Sequence, residues 1–185
     1  MLLLILGMAI FMAVHLIPSF VNLRRKLIGW RGQTYYTIGY SSAAMIGLVL
    51  IIIGKSRAVE VNVWDAPDWV YHLTPVFMLI ALTLLPAAYM PTNLKRFMRH
   101  PFLTGIALWA FSHLLVNGDV AAIILFGGFG SFALFDMWSS SRRGADKSTV
   151  KLPFYRDILL LVVGVVAFGI VLHLHPYLFG VAAIP

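Results

Sequence analysis

Histidine is the residue type in this sequence best suited to chemistry within an apolar setting. Neutral imidazole binds metal ions and exchanges protons near neutral pH. His15 lies in the apolar segment FMAVHLIPSF, while His100 and His113 lie in RHPFLTGIALWAFSHLLVNGD. The chain contains no cysteine, which excludes disulfides, thiolate metal sites and a cysteine nucleophile. The candidate chemistry is therefore ligation of a metal or haem by imidazole, or binding of a polar cofactor.

The spacing of His100 and His113 limits what they can bind together. Thirteen residues of α-helix separate them by about 20 Å along the helix axis. They cannot be two ligands of one small metal ion, but they can serve two sites or two edges of a large ligand. His113 also shares a helix face with Trp109 and Asn117, so an interhelical hydrogen bond is an alternative role for it.

Other ionisable groups lie in or beside apolar segments, where they are costly and mark candidate sites. Asp136 precedes Arg142 and Arg143, so an interfacial ion pair is an equal alternative to a cofactor contact. The candidate cofactor-binding residues are His15, His100, His113, Arg99 and Asp136, of which His15 and His113 are candidate metal ligands. We expect an inner group with His15, Arg99, His100 and Asp136, and an outer group with His113, Asn117 and Asp119, to which His72 and His173 are open additions. The remaining histidines, His72, His173 and His175, lie near segment ends, where solvation explains them.

These residues must be positioned by membrane-spanning helices. The chain has 185 residues, of which 61% are hydrophobic and 11% charged, whereas soluble domains contain about 45–50% apolar residues. We predict an all-α, polytopic membrane helix bundle of about six transmembrane helices, forming a single integral membrane domain over residues 1–185. The candidate spans are 1–21, 36–54, 69–89, 102–117, 120–139 and 158–178.

The basic residues sort between the loops. Twelve of the fourteen Lys and Arg follow the first, third and fifth candidate spans, and only Lys55 and Arg57 fall in a loop on the other side. By the positive-inside rule, both termini face away from the cytoplasm. The net charge of +7 is accounted for by these loops, so we expect the lipid bilayer, and no nucleic acid, as a partner.

Two stretches of small residues bear on helix packing. Gly39, Ala43 and Gly47 are spaced four apart in the second span and predict a close helix approach. The stretch FGGFGS, residues 126–131, indicates either close packing again or a flat space beside the helix for a planar or polyene ligand.

Three segments carry a resemblance to a known family: FMAVHLIPSF, RHPFLTGIALWAFSHLLVNGD, and FALFDMW followed by Arg142 and Arg143. They resemble the NnrU family, small polytopic membrane proteins associated with denitrification and nitric-oxide metabolism in bacteria. The likeness covers about residues 1–143 and leaves the span 158–178 outside. It implies a multi-pass protein of the bacterial inner membrane, linked to nitric-oxide or redox metabolism, with membrane or denitrification proteins as partners.

That family is in turn similar to plant and cyanobacterial 15-cis-zeta-carotene isomerase, a membrane haem b enzyme. The resemblance implies that His15 corresponds to one axial haem ligand, and that the other would fall at about Phe132 or Ala133. Neither residue can bind iron, so the sequence departs from the isomerase there. Either His15 shares a haem with another ligand, such as His100 or His113, or no haem is bound.

A fainter resemblance concerns RHPFLTG, which is similar to an element of the isoprenylcysteine methyltransferase class that helps to bind S-adenosylmethionine. The carboxylates that complete the pocket in that class have only Asp136 and Asp146 as counterparts here, and no paired glutamates. Three functions therefore remain open: a haem b protein linked to nitric-oxide or redox chemistry, a membrane-embedded methyltransferase, and a non-enzymatic accessory subunit of a membrane assembly.

Overall fold

The computed structural model describes residues 1–183, where the secondary structure is helical apart from an isolated bridge between Asn62 and Asp119. The helices are α1 (Leu2–Leu16), α2 (Val21–Arg31), α3 (Gln33–Ser56), α4 (Asp68–Ala87), α5 (Leu94–Phe97), α6 (Pro101–Val116), α7 (Val120–Arg142) and α8 (Tyr155–Phe179). Helix α1 continues into a 3-10 turn at Ile17–Ser19, and α7 contains a π-helical turn at Ile123–Gly127.

Five of these helices are long and apolar enough to cross a membrane: α1 with its 3-10 turn, α3, α4, α7 and α8. Large apolar side chains stand exposed along them, for example Ile52 at 61%, Leu161 at 57% and Val166 at 54%. Exposed apolar surface of this extent is stable in contact with lipid acyl chains and unfavourable in contact with water. The prediction of an all-α membrane bundle is thus confirmed.

The helices group into two packing units. The first contains residues 1–63 and 119–128, and the second contains residues 64–118 and the described residues from 129 onward. Helix α7 contributes its beginning to the first unit and its remainder to the second. The single domain over residues 1–185 stays a prediction.

In the first unit, α1 and α3 pack antiparallel through glycines. A Cβ added to Gly7 would lie 2.6 Å from Ile51 N, and one added to Gly47 would lie 2.9 Å from Phe11 N. The two backbones are therefore closer than any side chain between them would allow. The predicted small-residue approach is correct at Gly47. It is wrong at Gly39, where a Cβ would meet nothing within 4 Å.

Helix α2 occupies a stretch that the sequence analysis assigned to a loop. Pro18 directs the chain into the 3-10 turn after α1, and Gly32, at φ +88°, ends α2 before α3 begins. Glycine is favoured at such a position because a side chain is strained at positive φ. Because α1 and α3 are adjacent and antiparallel, α2, which connects them, lies at one end of their hairpin.

The second unit is built around α4, which packs against both α6 and α8. A Cβ on Gly105 of α6 would lie 3.0 Å from the carbonyl oxygen of Ala81, and Gly164 of α8 packs directly against Thr83. Pro75 and Pro86 lie inside α4, whose helix continues through both.

The two ends of this unit show that α6 crosses it completely. At one end Trp64 N donates to Gly118 O at 3.4 Å, and at the other Asn93 Nδ2 donates to Leu152 O at 2.9 Å. Helix α6 connects these ends with only 16 residues. Helix α6 is shorter than the five longer helices but, like them, runs from one end of its unit to the other. It therefore corresponds to the fourth candidate span, 102–117.

Candidate functional site

His15 lies in the last turn of α1, and its ring is oriented by the helix that carries it. Its Nδ1 lies 2.7 Å from the carbonyl oxygen of Phe11, one turn earlier. A carbonyl oxygen only accepts, so Nδ1 holds the proton of the neutral ring and the lone pair resides on Nε2. This is the tautomer in which metal-bound histidines are usually held, with the second nitrogen donating to a carbonyl or carboxylate.

Aromatic side chains fix the plane of the His15 ring. The Phe11 ring stacks on it with centroids 4.0 Å apart and 24° between the planes, and the Tyr40 ring lies 5.4 Å away. Tyr36 lies 6.1 Å from Tyr40, so α1 and α3 together form an aromatic cluster around the half-buried imidazole. This aromatic cluster was not predicted from the sequence. The four-residue spacing of Phe11 with His15, and of Tyr36 with Tyr40, indicates that each pair shares a helix face and could have revealed it.

His113 of α6 repeats this arrangement in the second unit. Its Nδ1 lies 2.9 Å from the carbonyl oxygen of Trp109, which again leaves the lone pair on Nε2. The Trp109 ring lies 5.3 Å from the imidazole and meets Phe129 edge-on at 5.6 Å. Asn117, predicted to share this face, donates its Nδ2 to the main-chain carbonyl of His113 at 2.8 Å.

His100 and Arg99 precede α6 and are engaged differently. His100 is the residue at the N-terminal cap of the helix, and its Nε2 lies 2.8 Å from Ser141 Oγ. The Arg99 guanidinium lies 3.8 Å from a carboxylate oxygen of Asp146, and both side chains are largely exposed. Such an exposed pair contributes little to stability.

Asp136 forms the ion pair that was its alternative role. Its Oδ1 lies 3.3 Å from Arg143 Nη2 and accepts from Ser140 Oγ at 3.3 Å. Arg143 also donates to Ser139, while the Arg142 guanidinium lies 4.6 Å from the centroid of Trp138. The carboxylate of Asp136 thus forms part of a polar network at the end of α7.

Asp119 belongs to the first unit and pairs with a residue that the sequence analysis had not linked to it. Lys55 Nζ lies 2.8 Å from Oδ1, which also accepts from Ala122 N at 2.9 Å and so caps α7. Partial burial raises the pKa of the Asp119 carboxyl, but hydrogen bonds from Lys55 and Ala122 and the lysine charge outweigh it. The pKa therefore lies below its ordinary value.

A family model described as NnrU protein matches residues 3–183. The chain belongs to the NnrU family. The match includes α8 and so extends beyond residues 1–143, where the sequence motifs carried the resemblance. No curated protein and no solved structure matches the chain.

Neither candidate metal ligand of this NnrU-family chain belongs to a cluster of ligands. Within residues 1–183 no group of three or more His, Cys, Asp or Glu side chains is placed to hold a metal ion. His15 and His113 lie in different units and each contributes one imidazole. A single imidazole suits a haem iron, because the porphyrin itself supplies four of the ligands.

The histidines near segment ends have surroundings of their own in the NnrU-family chain. His72 is exposed, His173 lies 5.9 Å from the Tyr177 ring, and His175 Nδ1 donates to Val181 O at 2.8 Å.

Phe132 and Ala133, where the isomerase resemblance would place a second ligand, lie on α7, and Ala133 is fully buried.

The glycine-rich stretch of α7 is mostly packed. Gly128 lies against the Met8 methyl group, and a Cβ on Gly130 would be 3.4 Å from Ala110 Cβ. Gly127, at the end of the π-helical turn, has open space beside it. Close packing is therefore what Gly128 and Gly130 provide, and any flat surface for a ligand is limited to the side of Gly127.

A further polar cluster in the NnrU-family chain was not predicted. Asp157 at the start of α8 accepts from Thr92 Oγ1 at 2.7 Å, from Asn93 N at 2.8 Å and from Asn93 Nδ2 at 2.7 Å. Leu152 N in turn donates to Asn93 Oδ1 at 2.9 Å. Thr92 is only 2% exposed, so this cluster anchors α8 to the segment after α4. No local sequence pattern links residues so far apart in the chain.

Proposed function

We propose that this NnrU-family protein binds haem b in the membrane, with His15 as an axial ligand. The observation that carries the proposal is the contact between His15 Nδ1 and the Phe11 carbonyl oxygen at 2.7 Å. That hydrogen bond sets the tautomer with its lone pair on Nε2, which is the tautomer that a histidine ligand requires when it binds iron through Nε2.

The surroundings of His15 fit a haem ligand. Phe11 and Tyr40 restrict rotation of the ring, so that a bound iron would meet an imidazole of fixed orientation. Apolar surroundings also lower the local dielectric and thereby tune the potential of a bound haem. When bound, the haem supplies one-electron redox chemistry and a binding position for a diatomic ligand such as nitric oxide.

His113 is the other histidine that we propose as a haem ligand, and it lies in the second unit. It has the same tautomer, set by Trp109, and an aromatic neighbour at a similar distance. His100 is held differently, because its Nε2, and not its Nδ1, lies at hydrogen-bond distance from a neighbour, 2.8 Å from Ser141 Oγ.

The setting proposed for this activity is the bacterial inner membrane, in nitric-oxide or redox metabolism. Membership of the NnrU family and the apolar helices support this setting. The basic residues of α2 and of the loops after α4 and α7 support an orientation with these segments in the cytoplasm and both termini outside.

The test is an absorption spectrum of the full chain, produced in haem-replete cells, purified in detergent, and recorded oxidised and then reduced with dithionite. We expect a Soret band that shifts and sharpens on reduction. His15→Ala should weaken or shift this band while the protein still accumulates in the membrane, and His113→Ala tests the second unit separately. The matched control is His72→Ala, which removes an exposed histidine.

A wild-type protein without a Soret band, or a His15→Ala protein with the wild-type spectrum, would overturn the proposal. Binding of S-adenosylmethionine that is lost in Arg99→Ala would then favour a methyltransferase. A membrane protein that co-purifies at fixed stoichiometry, with no cofactor bound, would favour an accessory subunit.

A further inference from the structure

A groove along α2 combines apolar and cationic side chains on a single face. It is lined by Pro18, Val21, Arg24, Arg25 and Ile28. The four positions within α2 follow the three- and four-residue spacing of one helix face, and Pro18 lies in the 3-10 turn before it. At about 100° per residue, Val21 and Ile28 lie almost in line and the two arginines flank them on opposite sides. The face is therefore an apolar floor with one guanidinium at each edge.

The charges on α2 are not neutralised by the protein. The helix carries Arg24, Arg25, Lys26 and Arg31 and contains no acidic residue. Within the described residues, no ion pair involves a residue of α2. The Arg24 guanidinium lies 6.0 Å from the centroid of the Tyr36 ring, a contact that positions the side chain and leaves its charge uncompensated.

The location of α2 brings this groove to a membrane surface. The helix joins α1 to α3, which cross the membrane side by side, so it lies where both of them end. None of its residues is buried, and Phe20 before the helix and Trp30 in its last turn are 54% and 76% exposed. Aromatic and basic side chains on a short exposed helix are typical of the layer of lipid headgroups.

We propose that this groove binds the headgroup of an anionic phospholipid. Arg24 and Arg25 donate to the phosphodiester oxygens, a pairing that the planar guanidinium favours. The glycerol and the first carbons of the acyl chains lie on Pro18, Val21 and Ile28. The apolar floor favours a lipid over inorganic phosphate, which has no apolar part to cover it.

The experiment is native mass spectrometry of the full chain released from detergent micelles and titrated with dioleoylphosphatidylglycerol or dioleoylphosphatidylcholine. We expect the anionic lipid to bind more tightly. Replacing both groove arginines, Arg24→Gln with Arg25→Gln, should weaken its binding by more than about tenfold, since a hydrogen bond between a guanidinium and a charged phosphate contributes about tenfold or more to affinity. The matched control, Lys26→Gln with Arg31→Gln, removes the same charge from the same helix but no residue that lines the groove. Because exposed charges without a direct contact are screened, it should change binding by less than about twofold.

Equal losses in the two double variants would overturn the proposal, because they would show a general effect of charge. Equal binding of the two lipids by the wild type would overturn it as well, as would displacement of the lipid by an equimolar amount of inorganic phosphate. If the groove double variant does not fold, lipid binding is measured for the single variants Arg24→Gln and Arg25→Gln instead. Each should lose about tenfold, and unchanged binding in both contradicts the proposal.

Discussion

Lys55 Nζ lies 2.8 Å from Asp119 Oδ1 and 3.1 Å from Oδ2, which joins the last turn of α3 to the residue that begins α7. The same carboxylate accepts the hydrogen bond from Ala122 N that caps α7. The Asp119 side chain is 15% exposed, so water competes little for it. One side chain therefore closes an ion pair and starts a helix.

The two roles of Asp119 can be separated by two substitutions. Asp119→Asn removes the charge but keeps a side chain that caps helices well, and we expect it to lower the free energy of unfolding by about 0.5–1 kcal/mol. Asp119→Ala removes the cap too and should cost about 1 kcal/mol more. Denaturant unfolding in detergent micelles measures the free energy of unfolding of both variants. The control is Glu60→Gln, which changes an exposed carboxylate in the loop between α3 and α4. Equal effects of the two Asp119 variants would show that the cap contributes nothing.

The stability conferred by Asp119 should depend on pH. Its folded-state pKa is lower than that of the unfolded chain, so its contribution is complete above the unfolded value of about 3.9 and is lost as pH falls through the folded-state pKa. We expect the difference in Tm between wild type and Asp119→Asn to be constant from about pH 7 to pH 5 and to shrink below about pH 4. A difference that persists undiminished at pH 3 would contradict this linkage.

The close approach of α1 and α3 predicts a contrast between two glycines of the same helix. Gly54→Ala places a methyl group against the Leu4 backbone, whereas Gly39→Ala places one where nothing lies within 4 Å. We expect Gly54→Ala to lower the free energy of unfolding by about 1–3 kcal/mol. Gly39→Ala should be neutral or slightly stabilising, because alanine favours the helix more than glycine does. Thermal unfolding of the two variants under the same conditions checks this, and similar Tm values would refute it.

The anchor of α8 predicts a further contrast between two carboxylates. Asp157→Asn replaces an acceptor of three hydrogen bonds from Thr92 and Asn93 with an amide whose NH2 group faces donors. We expect a loss of about 1–3 kcal/mol in the free energy of unfolding. Asp146→Asn makes the same chemical change in an exposed pair with Arg99 and should have almost no effect. If the two variants unfold alike, the cluster around Asp157 does not anchor the helix.

The membrane-spanning helices were predictable because composition and apolar length are local properties. The candidate span 158–178 lies within α8, Tyr155–Phe179, and 36–54 lies within α3, Gln33–Ser56. Helix α2 escaped prediction because four basic residues in a short stretch resemble a loop, and its end depends on the single glycine Gly32. Likewise, nothing in the spacing of Gly39 and Gly47 reveals that only Gly47 faces α1.

The candidate site was predictable only in part. An isolated histidine in an apolar segment stands out by its type, so His15 and His113 were found. The pairing of Lys55 with Asp119, and of Asn93 with Asp157, spans about sixty residues of chain in each case and is decided by how the helices pack. The ion pair of Asp136 was anticipated because its partner, Arg143, follows only seven residues later.

The shortness of α6 has a consequence for the surrounding lipid. With 16 residues the helix is about 24 Å long, whereas the hydrocarbon core of a bilayer is about 30 Å thick. Phe111 on this helix is half exposed, so lipid reaches its surface. Hydrophobic mismatch should therefore thin the bilayer beside α6, at a cost of a fraction of a kcal/mol per Å. The five longer helices have 18 to 25 residues and match a core of ordinary thickness, so the thinning should be confined to the lipid that contacts α6.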